Sequence, residues 1–573
     1  MRRKSTVDDL LIRGARLIDG SGAPSYQGDL AVRDGKIAAI GPCLKSEARR
    51  VIDADGLALM PGIIDSHTHF DAQITWDPYV RPSPELGVTS AVIGNCGFAI
   101  APCKPEDRER TMRNLTQVEG MSLDVLRSGI RWEFESFSEY LQLLERQGSV
   151  VNLAAYVGHS SVRTYVMGEE ATQREATQQE IEQMAALVRD AMHVGAVGLA
   201  SSTSPAHNGE AGTPMPSRLA HDNEHLALIR AMACQGGGVY MVTKGGQMPI
   251  SLLEEMSVQS KRPVMIAALL HNSTNGGAVF KDLEAIEAAN QRGNPLIGQV
   301  SCCPLTMDFT LASPYPVEGL KSWKPALGLA HSALLAVLAD QSFRQTVKAE
   351  LESPAVFRLF NGEWDKVHIV EVAKTSNAHL EQCSLATLAT QSHRHPLDVM
   401  LDLAVEEDLK TVFTAQLLNS DEMQVARMLN HPHSLVSLSD AGAHLTFFND
   451  AGFGLHLLGH WARDLSAMSL EQAAFKLTAQ SAAIFGMSSR GLLRESYAAD
   501  LLLFDPQCVG RGPKRRVHDL PGGASRLHTD ALGVHGVWVN GHQVADSQGM
   551  IEGARLAGRL MRNFDAQAVF NRR

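Results

Sequence analysis

Between about residues 60 and 487, short apolar and β-branched runs recur, each followed by a stretch of helical periodicity. No other feature constrains the fold as much. Strands that alternate with helices are joined by crossovers and lie parallel in one sheet. The runs are Gly62–Asp65, Thr89–Ile93, Val150–Val157, Ala196–Ala200, Gly238–Val242, Pro263–Ala268, Leu296–Val300, Thr411–Thr414 and Leu435–Leu438. Nine such runs are close to the eight that close a barrel, so the expected fold class is α/β with a (β/α)8 TIM-like barrel. Thr177 to Val194 reads as one connecting helix. Ser469 to Phe485 reads as the last, opened by a Ser469…Gln472 capping box and stopped at Gly486. The segment from about 303 to 410 is irregular, with Pro304, Pro314, Pro316 and Pro325, and reads as an insertion able to cover an active site.

The two ends follow a different pattern. Leu10–Asp19, the Leu30–Ile40 hairpin with Asp34-Gly35 at its turn, the run Ala499–Asp505, and the Gly536–Ala545 hairpin turning at Asn540-Gly541 are all strand-like. They predict a small composite β-sandwich domain built from residues 1–60 and 488–573, the latter including a C-terminal tail, around a barrel of residues 61–487.

Barrel enzymes gather their chemistry at the C-terminal ends of the strands. His67 and His69 follow the first run, Gly94-Asn-Cys-Gly97 the second and Gly158-His-Ser160 the third. Ser201–His207 follows the fourth, Leu269-Leu-His-Asn272 the sixth and Ser439-Asp-Ala-Gly-Ala-His444 the last. Residues two apart on a strand face the same way, so His67 and His69 form half of a metal site. Metal-competent residues after six runs favour a metal centre over accident.

Composition excludes other classes. At 573 residues the chain exceeds one core. A net charge of −11 without a long basic run argues against nucleic-acid or anionic-membrane partners. The charged start, Met1 to Leu10, leads into no apolar h-region, no apolar run reaches membrane-spanning length, and the eight cysteines are scattered. A reduced, cytoplasmic protein with a small-molecule partner is expected, and a homo-oligomer is left open.

Pro61-Gly-Ile-Ile-Asp-Ser-His-Thr-His69, the Gly94–Gly97 turn, Ser439-Asp440 and the closing Ala499–Asp505 together resemble the amidohydrolase superfamily. Within it they resemble the D-aminoacylase (N-acyl-D-amino-acid deacylase) branch, over essentially the whole chain. The resemblance implies a Zn2+ centre that activates water to attack an amide carbonyl. His67 and His69 match first-strand metal ligands. Cys96 matches a thiolate ligand of that branch, and Asp440 matches the aspartate that binds metal and takes the proton from water.

The chain departs from that pattern at two places. The branch carries a metal-binding histidine after the fifth strand and another after the sixth. Here Thr243 or Lys244 stands at the first position and Ala268 at the second, with His271 three residues later as a substitute ligand if the strand bends. One Zn2+ ion is therefore favoured, with two as the alternative. His159, His207, Arg218, Lys244 and His444 are candidate substrate contacts, the two cations as grips for a substrate carboxylate. The expected activity is hydrolysis of an N-acyl amino acid or similar amide. The alternatives are hydrolysis of a cyclic amide, such as a hydantoin, lactam or cyclic dipeptide, and a binding protein without catalysis.

Overall fold

The computed structural model describes residues 7–354 and 358–564; the first six residues of the charged start and the last nine of the tail lie outside them. The chain divides into two compact units. One comprises Met1–Leu269, Asp282–Cys302 and Met428–Arg573, the other Leu270–Lys281 and Cys303–Arg427.

The first unit carries eight parallel strands: β1 (Ile63–Asp65), β2 (Val88–Ile93), β3 (Asn152–Gly158), β4 (Gly198–Ser202), β5 (Val239–Thr243), β6 (Val264–Leu269), β7 (Leu296–Val300) and β8 (Ser434–Val436). Each pairs with the next in chain order, giving one eight-stranded sheet from β1 to β8. Nearly every residue in them is buried, which is why the runs are largely apolar and do not alternate. The ring closes just past the strand ends. Thr68–His69 pairs in parallel with Ala441–Gly442, and the Ser66 N–H donates to Ser437 Oγ at 2.8 Å while that hydroxyl donates to Ile64 O at 2.7 Å. First and last strands are thus stitched together where His67, His69 and Asp440 emerge.

The eighth run, Thr411–Thr414, has another home. Val412–Leu418 is the central strand of a three-stranded antiparallel sheet in the second unit, between Leu305–Phe309 and Val367–Glu371. Its residues alternate between buried and half-buried, the mark of a sheet covered on one face. The insertion read as about 303 to 410 therefore belongs to a larger body that keeps this strand.

The helix after β3's connection runs Gln178–His193, with Thr177 and Glu180 forming a complete capping box. The last expected helix is two. Leu470–Leu477 starts at the Ser469–Gln472 capping box and Ala479–Phe485 ends at left-handed Gly486, with Thr478 between them at φ −132° and ψ −83°. The Thr478 hydroxyl donates back to Ala474 O at 2.7 Å, a local bond that competes with helix continuation.

Both ends of the chain build one nine-stranded sheet. Leu10–Leu17, Tyr26–Arg33, Lys36–Gly41, Val51–Asp53 and Ala58–Pro61 join Leu501–Phe504, Val534–Val539, His542–Asp546 and Gly549–Met550. The halves meet where Ala58–Pro61 runs antiparallel to Leu501–Phe504. Leu10, Ile12, Leu17, Leu30, Val32, Leu59, Leu501, Leu503 and Trp538 form its core. Pro61 leads through Gly62 into β1, so this sheet sets where the first barrel strand begins. Among the described residues no helix is long and apolar enough to cross a membrane.

Candidate metal centre

Four side chains from three strand ends converge. His67 and His69 stand on the extension of β1 with ring centroids 5.3 Å apart. Their Nε2 atoms lie 3.2 and 3.3 Å from the same oxygen, Asp440 Oδ1, and His67 Nε2 lies 3.4 Å from Cys96 Sγ. Cys96 is offered by the Asn95–Gly97 turn after β2, at φ +56°, and Asp440 follows β8 at φ +49°. Two of the four candidate ligands thus hold left-handed backbone, a strain that gathers where function overrides local preference. Gly94 and Gly97 make the turn possible. Both have positive φ, and a Cβ on either would come within 2.6 Å of Tyr156 O or 2.8 Å of Ala200 O. The Asp440 N–H donates to His67 O at 3.1 Å, locking the last candidate ligand to the first.

The outward ring nitrogens are also engaged. His67 Nδ1 lies 2.8 Å from Gln299 Oε1 in β7, and the Gln299 amide donates to Ser66 Oγ at 3.0 Å and Ser437 O at 2.7 Å. Those donations orient the amide oxygen toward His67, so Nδ1 carries the proton and the Nε2 lone pair faces the centre. His69 Nδ1 lies 3.0 Å from Glu119 Oε1. Its Nε2 is buried without a hydrogen-bond partner. His67, His69 and Cys96 lie close enough together to hold one metal ion, as do His69, Glu119 and His444; with Asp440 Oδ1 beside both Nε2 atoms of the first group, its nitrogen, sulfur and oxygen donors fit Zn2+.

The electrostatics agree. Burial alone would push the Cys96 thiol up; the His67 imidazole beside it reverses this and brings it down to about 7. Burial likewise disfavours ionised Asp440, yet His67, His69 and His444 hold it far below the ordinary carboxylate range. His67 and His69 are raised despite burial, chiefly by Asp440 and Glu119 respectively.

The amidohydrolase family model matches residues 50–545. The chain belongs to the amidohydrolase family. The N-acyl-D-aspartate deacylase of Alcaligenes xylosoxydans xylosoxydans is 28% identical over 577 residues, covering 99% of this chain and 98% of that protein. The D-aminoacylase of the same organism is 29% identical over 565 residues, covering 96% and 97%. A solved D-aminoacylase structure, described for its binuclear metal centre with one-metal activation and second-metal attenuation, is 26% identical at a TM-score of 0.65, covering 97% of this chain and all of its own. Within the family this chain stands in the D-aminoacylase branch.

Where that branch pattern places two further imidazoles, this amidohydrolase has other groups. Thr243, at the end of β5, sets its hydroxyl 3.1 Å from Cys96 Sγ. Ala268 lies within β6 and offers a methyl. His271 lies past the end of that strand, in the second unit. Its backbone exchanges hydrogen bonds with Asn419, its ring packs near Phe280, and neither metal-competent group among the described residues includes it. His271 as a ligand would need a bend past β6; the pairing shown for its backbone is with Asn419 of its own unit.

The other candidates divide. His444 sits by the centre, its ring 4.6 Å from that of His69 and its Nε2 3.5 Å from Glu119 Oε2. His207 hydrogen-bonds Ser202 Oγ at 2.7 Å against the Phe98 ring; burial, with the nearby His444 and His69, pushes it down to about 3 and keeps it neutral. His159 is bound into a buried network, Nδ1 2.8 Å from Ser201 Oγ and Nε2 2.8 Å from Glu224, which also pairs with Arg163. Arg218 donates to His207 O and Asn208 Oδ1, and Lys244 pairs with Asp282 at 3.1 Å. Both cations are therefore already engaged. Sequence reasoning missed Glu119 and Gln299. Gln299 left a signal, one amide inside an otherwise apolar barrel strand; Glu119, at the end of a polar helix, left none.

Proposed function

We propose that this protein is a metal-dependent amide hydrolase with one Zn2+ ion held by His67, His69, Cys96 and Asp440. Its reaction is cleavage of the amide C–N bond of an N-acyl amino acid. One observation carries the reading: at the ends of the first, second and last barrel strands two Nε2 atoms converge on one carboxylate oxygen, with a thiol 3.4 Å from one of those nitrogens. Relatives named as an N-acyl-D-aspartate deacylase and a D-aminoacylase over nearly the full chain support it.

Held by these residues, Zn2+ would lower the pKa of water from ~15.7 toward ~7 and would polarise the scissile carbonyl. Asp440 is the proton carrier. The His67 and His69 side chains are 3% and 2% exposed and Asp440 is 20% exposed, so the carboxylate is the group an entering substrate meets. Held ionised, it takes a proton from the attacking water and returns it to the leaving nitrogen, a transfer typically worth ~10²–10⁴ in rate. Gln299 and Glu119 hold the two imidazoles in the ligating tautomer. His207 and His444 are the substrate-facing candidates. The partner in this reading is a small amide, and the net charge of −11 provides no attraction for nucleic acid or an anionic membrane.

The test is metal analysis with a substrate comparison. Protein purified without chelator is expected to hold about one zinc per chain and to hydrolyse N-acyl-D-amino acids; chelation is expected to stop turnover and added Zn2+ to restore it. Turnover of hydantoins or lactams only would move the substrate to cyclic amides. Absence of both metal and hydrolysis would leave a binding barrel and overturn the reading.

A further inference from the structure

We propose that Glu119 is a positioning residue that clamps His69 and His444 together, its two carboxylate oxygens each holding one imidazole. Glu119 caps the C-terminal end of the helix Arg108–Val118, its N–H donating to Leu115 O at 2.9 Å. A carboxylate there opposes the helix dipole, so local helix stability does not explain it. The residue is 4% exposed. Oε1 lies 3.0 Å from His69 Nδ1 and Oε2 lies 3.5 Å from His444 Nε2. Among the described residues no lysine or arginine pairs with it, so the two imidazoles are its counter-groups.

Both sides of the clamp are pinned. Gly120 has φ +71°, and a Cβ there would meet the Phe447 ring at 2.5 Å; the Thr446 hydroxyl donates to Gly120 O at 3.0 Å. The helix end is thus fastened to the segment that carries His444. That ring packs 5.2 Å from Phe448 and 5.6 Å from Phe447, edge-on to His69. Accepting the Nδ1 proton of His69 presents its Nε2 lone pair to the centre and strengthens it as a ligand. The other oxygen, 3.5 Å from His444 Nε2, holds that ring beside the same space by charge. One carboxylate therefore sets a metal ligand and a substrate-facing histidine at once.

The inference rests on His69 being a metal ligand, and its test reads metal binding without substrate. Zn2+ and Co2+ affinities of the full chain are measured by chelator competition, with the visible spectrum of the Co2+ form, for wild type, Glu119→Ala and Glu119→Gln. Glu119→Ala is expected to weaken binding about 10–100-fold and shift the Co2+ spectrum at unchanged stoichiometry. Glu119→Gln, which keeps a carbonyl acceptor for His69, is expected to recover part of both. A wild type that binds no metal would overturn both this inference and the proposed function. A wild type that binds while both variants bind identically would overturn the clamp alone. Two metal equivalents in wild type and one in Glu119→Gln would overturn it differently, making Glu119 a ligand of a second ion with His69 and His444.

Discussion

Asp440 and Cys96 carry the sharpest predictions at the scale of single residues. Asp440→Asn keeps the size of the side chain but removes the base, so turnover is expected to fall at least ~10²-fold while the circular dichroism spectrum is unchanged. Normal turnover in that variant would remove Asp440 from the chemistry. For Cys96 the sign of the pH effect is definite. Its thiol is brought down from about 9 to about 7, so in metal-free protein the thiolate absorbance should be half developed near pH 7 and nearly complete by pH 8. Saturating Zn2+ should extend thiolate absorbance below pH 7, because the ligand is the deprotonated form. A thiol that still titrates near 9 without metal would show that His67 does not lie against it. His67, His69, Cys96 and Asp440 were legible in the chain because each follows a strand in a short recognisable motif. Glu119 was not, since nothing near it in sequence distinguishes it from the other glutamates of polar helices.

At the scale of elements, turns and caps decide where those residues point. The Gly94–Gly97 turn holds Cys96 at positive φ by pressing two glycines against Tyr156 O and Ala200 O. Gly97→Ala would add a Cβ 2.8 Å from Ala200 O at a φ of +79° and is expected to cost about 1–3 kcal/mol, with metal affinity falling alongside stability. Unchanged denaturant midpoint and metal affinity would mean the turn relaxes freely. Far from the centre, Thr177→Ala removes one half of a capping box and is expected to cost about 1 kcal/mol in urea unfolding with no effect on turnover. The pair of variants separates stability from function. Capping boxes and hairpin turns were readable because their chemistry is local. The break at Thr478 was not, because a threonine inside a helical pattern is ordinarily tolerated. The strand Val412–Leu418 was assigned to the wrong sheet since four residues of its run look alike in either setting; only its full alternation marks a sheet with one covered face.

At the scale of the whole molecule, the two ends of the chain form one sheet, and that sheet leads directly into β1. Leu501–Phe504 pairs with Ala58–Pro61 on one side and Val534–Val539 on the other. A chain ending before Leu501 would take from Ala58–Pro61 one of its two partner strands, leaving only Leu10–Leu17, and expose Leu59 and neighbouring core residues. Such a truncation is expected to be insoluble or to lack cooperative unfolding; a soluble, cooperatively folding product would show that the barrel does not depend on that sheet.

The amino-acid sequence by itself determined the alternation that makes a parallel barrel, the β-rich ends, and the strand-end motifs that place two imidazoles, a thiol and a carboxylate at one rim. These follow from periodicity and short-range geometry, which act over a few residues. Only the tertiary structure decided that β1 and β8 are joined where His67, His69 and Asp440 emerge, that His271 pairs with Asn419, and that Gln299 and Glu119 hold the outer nitrogens of His67 and His69. Those contacts bridge residues far apart in the chain, and their geometry exists only once the strands have closed.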